Sequence, residues 1–338
     1  MSFVIILIKA SLIYGGLLGT AAAMTLAERK ISAWMQLRIG PNRVGPGGVL
    51  QPLADGVKFI FKEEVTPDGA NKGLFRLGPI MAAAPAMLTI AVIPFAGETT
   101  IFGIDFGLLS LTDLDIGLLF VLALSGLSVY GVILGGWASN SKYSLLGGLR
   151  ASAQMVSYEL SLIMTALTVV ALSGSMNLRE IVEVQNTGNF LDWHCFTPVV
   201  GQVGLILFVI TTFAETNRHP FDFAECEPEL VGGFHTEYSS MKFALFFLGE
   251  YCAMTVMACL TTVLFLGGYS VPFWEDAPWI VQVGTFMTKT AFFLFLFIWV
   301  RWTLPRFRYD QLMNLGWKIF FPIALANLLL AGAVISLS

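Results

Sequence analysis

Residues 198–266 read PVVGQVGLILFVITTFAETNRHPFDFAECEPELVGGFHTEYSSMKFALFFLGEYCAMTVMACLTTVLFL. Two apolar segments, 198–214 and 241–266, flank the polar stretch 214–239. Each is close to the length needed to cross a hydrocarbon core of about 30 Å, so the pair reads as consecutive membrane helices joined by a charged loop. That loop carries six carboxylates, Glu215, Asp222, Glu225, Glu227, Glu229 and Glu237, with Arg218 as its one fixed cation. Acids held so near one another beside a bilayer oppose each other's ionisation, and such a cluster is suited to holding and releasing protons as a group.

The same alternation extends outward through the whole chain. Of its 338 residues, 56% are hydrophobic and only 12% are charged, with a mean hydropathy of +0.75. A water-soluble fold of this length cannot enclose that much apolar surface, so the expected class is an all-α polytopic membrane protein. No nucleic-acid partner is expected, and the net charge of −4 means little as a global figure, since what matters in a membrane protein is how the charges divide between its two sides. Eight spans are predicted, at 3–26, 78–96, 116–137, 154–174, 198–214, 241–266, 280–300 and 317–337. The segments after the odd-numbered spans hold 16 of the 19 Lys and Arg residues, which puts them on the inward side and both termini outside. The chain is therefore expected as one membrane domain, 1–338, whose inward loops 27–77, 138–153, 215–240 and 301–316 carry the functional bulk. The first span has the small-residue patch Ala21, Ala22 and Ala23, but it lacks a basic start and meets Glu28, Arg29 and Lys30 directly. It is expected as a retained helix.

Within the first inward loop, Gly40, Pro41, Gly45, Pro46, Gly47 and Gly48 impose turns without the Lys and Ser/Thr of a phosphate loop. After them Leu50, Leu53, Val57, Ile60 and Phe61 share one helical face, as expected for an amphipathic helix in the membrane interface. The pattern leaves open whether it tethers the loop or frames an entry for a lipid-soluble ligand. Cys195, Cys226, Cys252 and Cys259 form no CxxC pair, and the three histidines stand in no ligand-like register with them. Any redox cofactor is thus expected in a partner.

Ionisable residues inside spans cost about 2.5 to 3.5 kcal/mol each on insertion scales, so Glu159, Glu250 and Lys289 are expected to face other helices or water. Glu159 and Glu250 suit proton handling; a structural ion pair with Lys289 is the competing reading. Arg301, nearest the apolar end of the seventh span, suits a fixed cation projecting toward an acidic cavity, whereas Arg306, Arg308 and Lys318 read as surface anchors.

Four stretches, AERKISAWMQLRIGPNRVGPGGVLQPLADGVKFIFKE, GWASNSKYSLLGGLRASAQMVSYE, AETNRHPFDFAECEPELVGGFHTEYSSMKFALFF and PRFRYDQL, together resemble the H subunit family of respiratory complex I, called subunit 1 of NADH dehydrogenase in mitochondria. The resemblance covers nearly the whole chain. It implies a membrane subunit of a proton-translocating NADH:quinone oxidoreductase that joins the peripheral arm to the pumping arm. Implied for the quinone chamber are Arg29, Asp55, Phe243, Phe246, Phe247 and Arg301, and for an acidic path to the pumps Glu159, Glu215, Glu225, Glu227, Glu229 and Glu250. The implied substrate is a quinone of the ubiquinone type, with FMN and iron–sulfur clusters in partner subunits and no cofactor in this chain. Implied partners are the peripheral subunits carrying the terminal cluster, small membrane subunits and antiporter-like subunits, in a bacterial inner or mitochondrial inner membrane.

Where members of that family commonly read AEGESELV, this chain has Cys226 and Pro228, and the proline stiffens the loop while its three glutamates remain. The mechanism expected is redox-coupled electrostatics: charge created on quinone reduction is met by a coupled set of acids. Two alternatives are a cation or proton transporter without a redox partner and the equivalent subunit of a membrane-bound hydrogenase. The lack of an evident inverted repeat argues against the first, and the closeness of GPNRVGPGGVLQPLADGVK to the ubiquinone enzymes argues against the second.

Overall fold

The computed structural model describes residues 3–101, 104–224, 230–275 and 277–337. Its helices are α1 (Phe3–Met35), α2 (Gln51–Phe61), α3 (Lys72–Thr89), α4 (Gly117–Ala138), α5 (Lys142–Ser173), α6 (Leu178–Gln185), α7 (Val200–Glu215), α8 (Ser240–Phe265), α9 (Trp279–Thr303), α10 (Tyr309–Leu315) and α11 (Phe321–Leu337). Among the described residues, seven segments are long and apolar enough to cross a membrane: α1, α3 extended to Val92, α4, α5, α8, α9 and the run Tyr309–Leu337. The chain is an all-α polytopic membrane protein. The expected fifth span is α7, apolar but only 16 residues long. At about 1.5 Å per residue it is shorter than a typical hydrocarbon core.

Several expected boundaries move. α1 continues past 26 to Met35, α3 begins at Lys72 instead of 78, α5 begins at Lys142 instead of 154, and the last span begins at Tyr309 instead of 317. In each case a polar or glycine-containing extension lowers the hydropathy without breaking the helix. The expected inward loops 27–77, 138–153 and 301–316 are accordingly helical in part. The start of α5 is held by backbone proximity: a Cβ added at Gly147 would lie 2.8 Å from Gly233 main-chain atoms, and one at Gly136 would lie 2.6 Å from the Ser144 carbonyl. In the last span a π-helical turn, Gly316–Phe320, joins α10 to α11. There Tyr158 of α5 donates to the Leu312 carbonyl at 2.9 Å, and Trp317 donates to Ser157 Oγ at 3.2 Å.

Small residues let α3 and α4 pack almost backbone to backbone, with Gly78 and Ala82 facing Gly131 and Gly135. Such close approach is the usual means of helix association where lipid tails are as apolar as the side chains. On the face opposite α2, the antiparallel hairpin β1 (Glu98–Ile101) and β2 (Ile104–Leu108) interrupts the helical pattern, with a bulge between Thr99 and Thr100. Two lysines buried in spans secure this side. Lys9 of α1 donates to the Leu108 carbonyl at 2.6 Å. Lys289 of α9 donates to the carbonyls of Leu266, Gly268 and Ser270 at 2.7, 3.0 and 2.8 Å and lies 4.0 Å from the Trp193 ring centre.

Lys289 therefore caps the C-terminal turn of α8, where a cation is favoured by the helix dipole and the unpaired carbonyls. It is not the carboxylate partner expected from sequence for Glu159 or Glu250. Nearby, Gln185 receives the backbone N–H groups of His194 and Gly267 and donates to the Ile181 and Val263 carbonyls, all at 3.0 to 3.2 Å. Burial pushes the His194 imidazole down to about 4, so it stays neutral at pH 7.

Candidate functional site

The face rich in Lys and Arg is organised by the first long loop. Gly48 sits at φ +81°, and a Cβ there would come within 2.1 Å of the Pro41 carbonyl, so only glycine fits this turn. Lys30 pins the turn by donating to the Gly47 carbonyl at 2.6 Å. The turn releases the chain into α2, whose far end is tied to the start of α8. Ser240 Oγ donates to the carbonyls of Phe59 and Lys62, each at 2.9 Å. Ser239 Oγ bonds the Glu63 carbonyl and accepts from Val65 N–H. Lys242 closes the junction with an ion pair to Glu64, which holds that carboxyl below its ordinary range.

This tether decides which way α2 faces. Its apolar stripe, Leu53, Val57, Ile60 and Phe61, is exposed, between 52% and 84%. The other side, Pro52, Asp55, Gly56 and Phe59, turns toward α1 and α8 and closes a cavity of about 500 Å³. α2 thus turns its apolar stripe outward and lines the cavity with the opposite face. Arg29, Asp55, Phe243 and Phe247 line this cavity, together with Thr25 and Tyr251. Arg29 donates to Asp55 at 2.6 Å. Partial burial opposes ionisation of Asp55, but the hydrogen bond and charge of Arg29, with Lys58 behind it, outweigh burial and hold the carboxyl below its ordinary range.

Beside the cavity lies a buried charge network. Arg218, with its side chain 4% exposed, sits 3.0 Å from Glu28 Oε2 and 2.5 Å from Glu250 Oε1. Tyr251 donates to Glu28 Oε2 at 2.7 Å, and its ring lies 4.5 Å from the Arg218 guanidinium. Arg301 pairs with the other Glu28 oxygen. Four elements meet here: α1, the segment after α7, α8 and α9. That segment, Thr216–Ala224, is almost wholly buried rather than a surface loop. Gln154 of α5 donates to the carbonyls of Ala214 and Phe221 at 2.9 and 2.6 Å, and Arg306 bonds Asp222 at 3.0 Å. Burial, and then the charges of Arg306 and Arg301, keep the His219 imidazole below its ordinary range.

A second, smaller cavity of about 70 Å³ lies behind Phe247. Glu215, Glu250, Asn217, His235, Phe246 and Phe247 contribute to its walls. Both carboxylate oxygens of Glu215 are buried without a hydrogen-bond partner. Glu159, well inside α5, is within electrostatic reach of Glu215 and lies against Gly126 of α4. A polar pocket of this size admits a few water molecules, which such an acid requires.

The residues expected from sequence thus divide between two compartments. Arg29, Asp55, Phe243 and Phe247 share the large cavity, Phe246 with Glu215 and Glu250 shares the small one, and Arg301 joins the network beside them. Glu225, Glu227 and Glu229, with Cys226 and Pro228, lie outside the described residues. Sequence reasoning missed Glu28, which reads there as part of a charged flank. A signal existed: it is the one acid in the turn of α1 that carries Arg29 and Lys30. Tyr251 and His235 were also passed over, since neither is anomalous in type or spacing. Among the described residues, no group of three or more His, Cys, Asp or Glu side chains is arranged to hold a metal.

Comparison with known proteins places this geometry in context. A family model described as NADH dehydrogenase matches residues 8–332. The first of the NADH-quinone oxidoreductase H subunits of Geobacter metallireducens is 51% identical over 331 residues, covering 98% of this chain and 96% of the relative. The corresponding first H subunit of Cytophaga hutchinsonii is 50% identical over 319 residues, covering 93% and 91%. NADH-quinone oxidoreductase subunit 8 of Rhodothermus marinus is 49% identical over 341 residues, covering 97% and 96%.

Proposed function

Because the chain belongs to the NADH dehydrogenase family of NADH-quinone oxidoreductase H subunits, we propose that its large cavity is the membrane part of a quinone chamber and its small cavity the start of a proton-handling path. As an integral membrane subunit of such an enzyme complex it acts together with other subunits. The electron donors, FMN and iron–sulfur clusters, belong to peripheral partners that dock on the basic face, which is turned to the cytoplasm of a bacterium or the mitochondrial matrix; both termini lie outside. Small membrane subunits and antiporter-like subunits continue the path. The substrate is a quinone of the ubiquinone type, which enters from the bilayer beside α2.

The observation that carries this reading is the adjacency of the two cavities across Phe247, with Arg29, Asp55 and Phe243 on one side and Glu215 and Glu250 on the other. The large cavity suits a quinone ring and the first part of its tail: aromatic and aliphatic walls for the apolar body, and one oriented ion pair for the carbonyls. Two-electron reduction of a quinone creates negative charge that protons or cations must meet. The network of Glu28, Arg218, Glu250 and Arg301 reaches the large cavity through Tyr251, which donates to Glu28, and the small one through Glu250, so charge on one side alters the field on the other. Glu159, Glu215 and Glu250, with Glu225, Glu227 and Glu229, answer that field as a coupled group.

Phe243→Ala in the assembled complex tests the chamber. Loss of a buried aromatic wall is worth about 1.5 to 3 kcal/mol, so KM for a short-chain quinone is expected to rise about tenfold or more. NADH oxidation by a water-soluble artificial acceptor, drawn from the peripheral arm, should not change. An unaltered quinone KM would remove the large cavity from the reaction.

A further inference from the structure

Resting on the chamber reading above, we propose that His235 is a proton-relay residue that links the acidic cavity to the quinone cavity through the aromatic wall between them. His235 closes a short 3-10 turn, Gly233–His235. Its ring packs against Phe243 and Phe247 at centroid distances of 5.3 and 5.8 Å and against Phe234 at 5.0 Å. Phe243 and Phe247 face the large cavity, while His235 itself lines the small one with Glu215 and Glu250. Among the described residues lining either cavity it is the one imidazole, and two acids share its cavity.

The position suits a relay for three reasons. Around His235 the wall presents the phenyl rings of Phe234, Phe243 and Phe247, which carry no proton. Glu250 is already committed to Arg218, so it is fixed in place and does not swing through the wall. An imidazole has two ring nitrogens, so it accepts a proton at one and releases one from the other. In the step proposed, an acid of the small cavity gives its proton to one ring nitrogen, leaving a carboxylate and an imidazolium. The other nitrogen then releases a proton toward the quinone as it takes up two electrons from the peripheral donor. The imidazole returns neutral and the two-electron-reduced quinone becomes the quinol monoanion; the carboxylate left behind is reprotonated from the path beyond, and a second passage by the same route delivers the proton that completes the quinol. Among the described residues, Glu215 of α7 and Glu250 of α8 are the acids that share the cavity with His235, with Arg218 behind Glu250.

Two variants of the assembled complex test this. His235→Phe keeps the ring packing and loses the relay, and His235→Gln keeps polarity and loses the second nitrogen. General acid–base groups contribute about 10²- to 10⁴-fold, so both variants should lower kcat for quinone reduction at least about tenfold. Quinone KM should stay within about twofold, and the solvent deuterium isotope effect on kcat should rise as proton delivery becomes limiting. Assembly is read independently from NADH oxidation by the artificial acceptor. Either variant turning over at the parental rate and isotope effect overturns the relay, as does a raised KM with kcat preserved, which would mark His235 as packing alone. Failure of the chamber reading shows elsewhere, in an unaltered KM for Phe243→Ala.

Discussion

Arg218→Met is expected to remove most of the assembled, quinone-reducing complex from the membrane. Arg218 is held within 3.0 Å of Glu28 and 2.5 Å of Glu250, and its own side chain is 4% exposed. A buried ion pair adds little net stability while intact, because desolvation offsets attraction. Removing one partner is different, since it strands charge in a poorly solvated site at a cost of about 3 to 5 kcal/mol. That is a large part of a typical folding free energy. Glu28 keeps Arg301 and Tyr251 when Arg218 is lost, whereas Glu250 loses its 2.5 Å ion pair. The double variant Arg218→Met with Glu250→Gln should accordingly recover part of the complex that the single variant loses. Native-gel staining of solubilised membranes measures both. Parental levels in the single variant would mean that the two acids do not depend on Arg218.

The second large effect is expected at Gly131. A Cβ built there lies 2.4 Å from the amide nitrogen of Ala82 and 2.8 Å from its side chain, and the obstruction is helix backbone that cannot rotate away. Gly131→Val must therefore push α4 from α3. Forcing extra atoms into a well-packed core typically costs about 1 to 3 kcal/mol, and a backbone obstruction places this case at the upper end. Ser128 and Val132, on either side of Gly131, line the acidic cavity, so the displacement also distorts that site. Thermal stability of the purified complex should fall and proton translocation with it. Gly15→Val, at a glycine of α1 with open space around it, should leave both nearly unchanged. Equal tolerance of the two substitutions would mean that the α3–α4 contact has slack.

The spans were legible because crossing a bilayer demands runs of apolar residues, and hydropathy reads runs. It failed where a helix continues past its apolar run. α5 starts among Lys142, Tyr143, Gly147 and Gly148, residues that lower hydropathy yet pack on α4 and the turn at Gly233. Glu215 and Glu250 stand out in the sequence as charges in or beside apolar stretches, and both line the small cavity, whereas Arg29 and Asp55, which line the large one, are singled out only by the family resemblance. Lys289 is the counterexample: equally anomalous in sequence, it is satisfied by three carbonyls at the end of α8. Nothing in its local sequence separates that use from an ion pair, because the carbonyls belong to a different segment. Glu28 and His235 went unseen for the related reason that their partners are far away in the chain. Arg218 stands 190 residues from Glu28. The apolar stripe of α2 was read correctly, but the face that encloses the cavity is the one opposite it, and only the tether of Ser239 and Ser240 sets that orientation.

Photolabelling of the assembled complex with a quinone whose reactive group is on the ring shows whether the cavity between α1, α2 and α8 receives the quinone. Label is expected within Thr25–Arg29, Pro52–Phe59 or Phe243–Tyr251, suppressed by an excess of unmodified quinone and reduced in Phe243→Ala. Competed label confined to α5, α9 or α11, with none in those three segments, would contradict it.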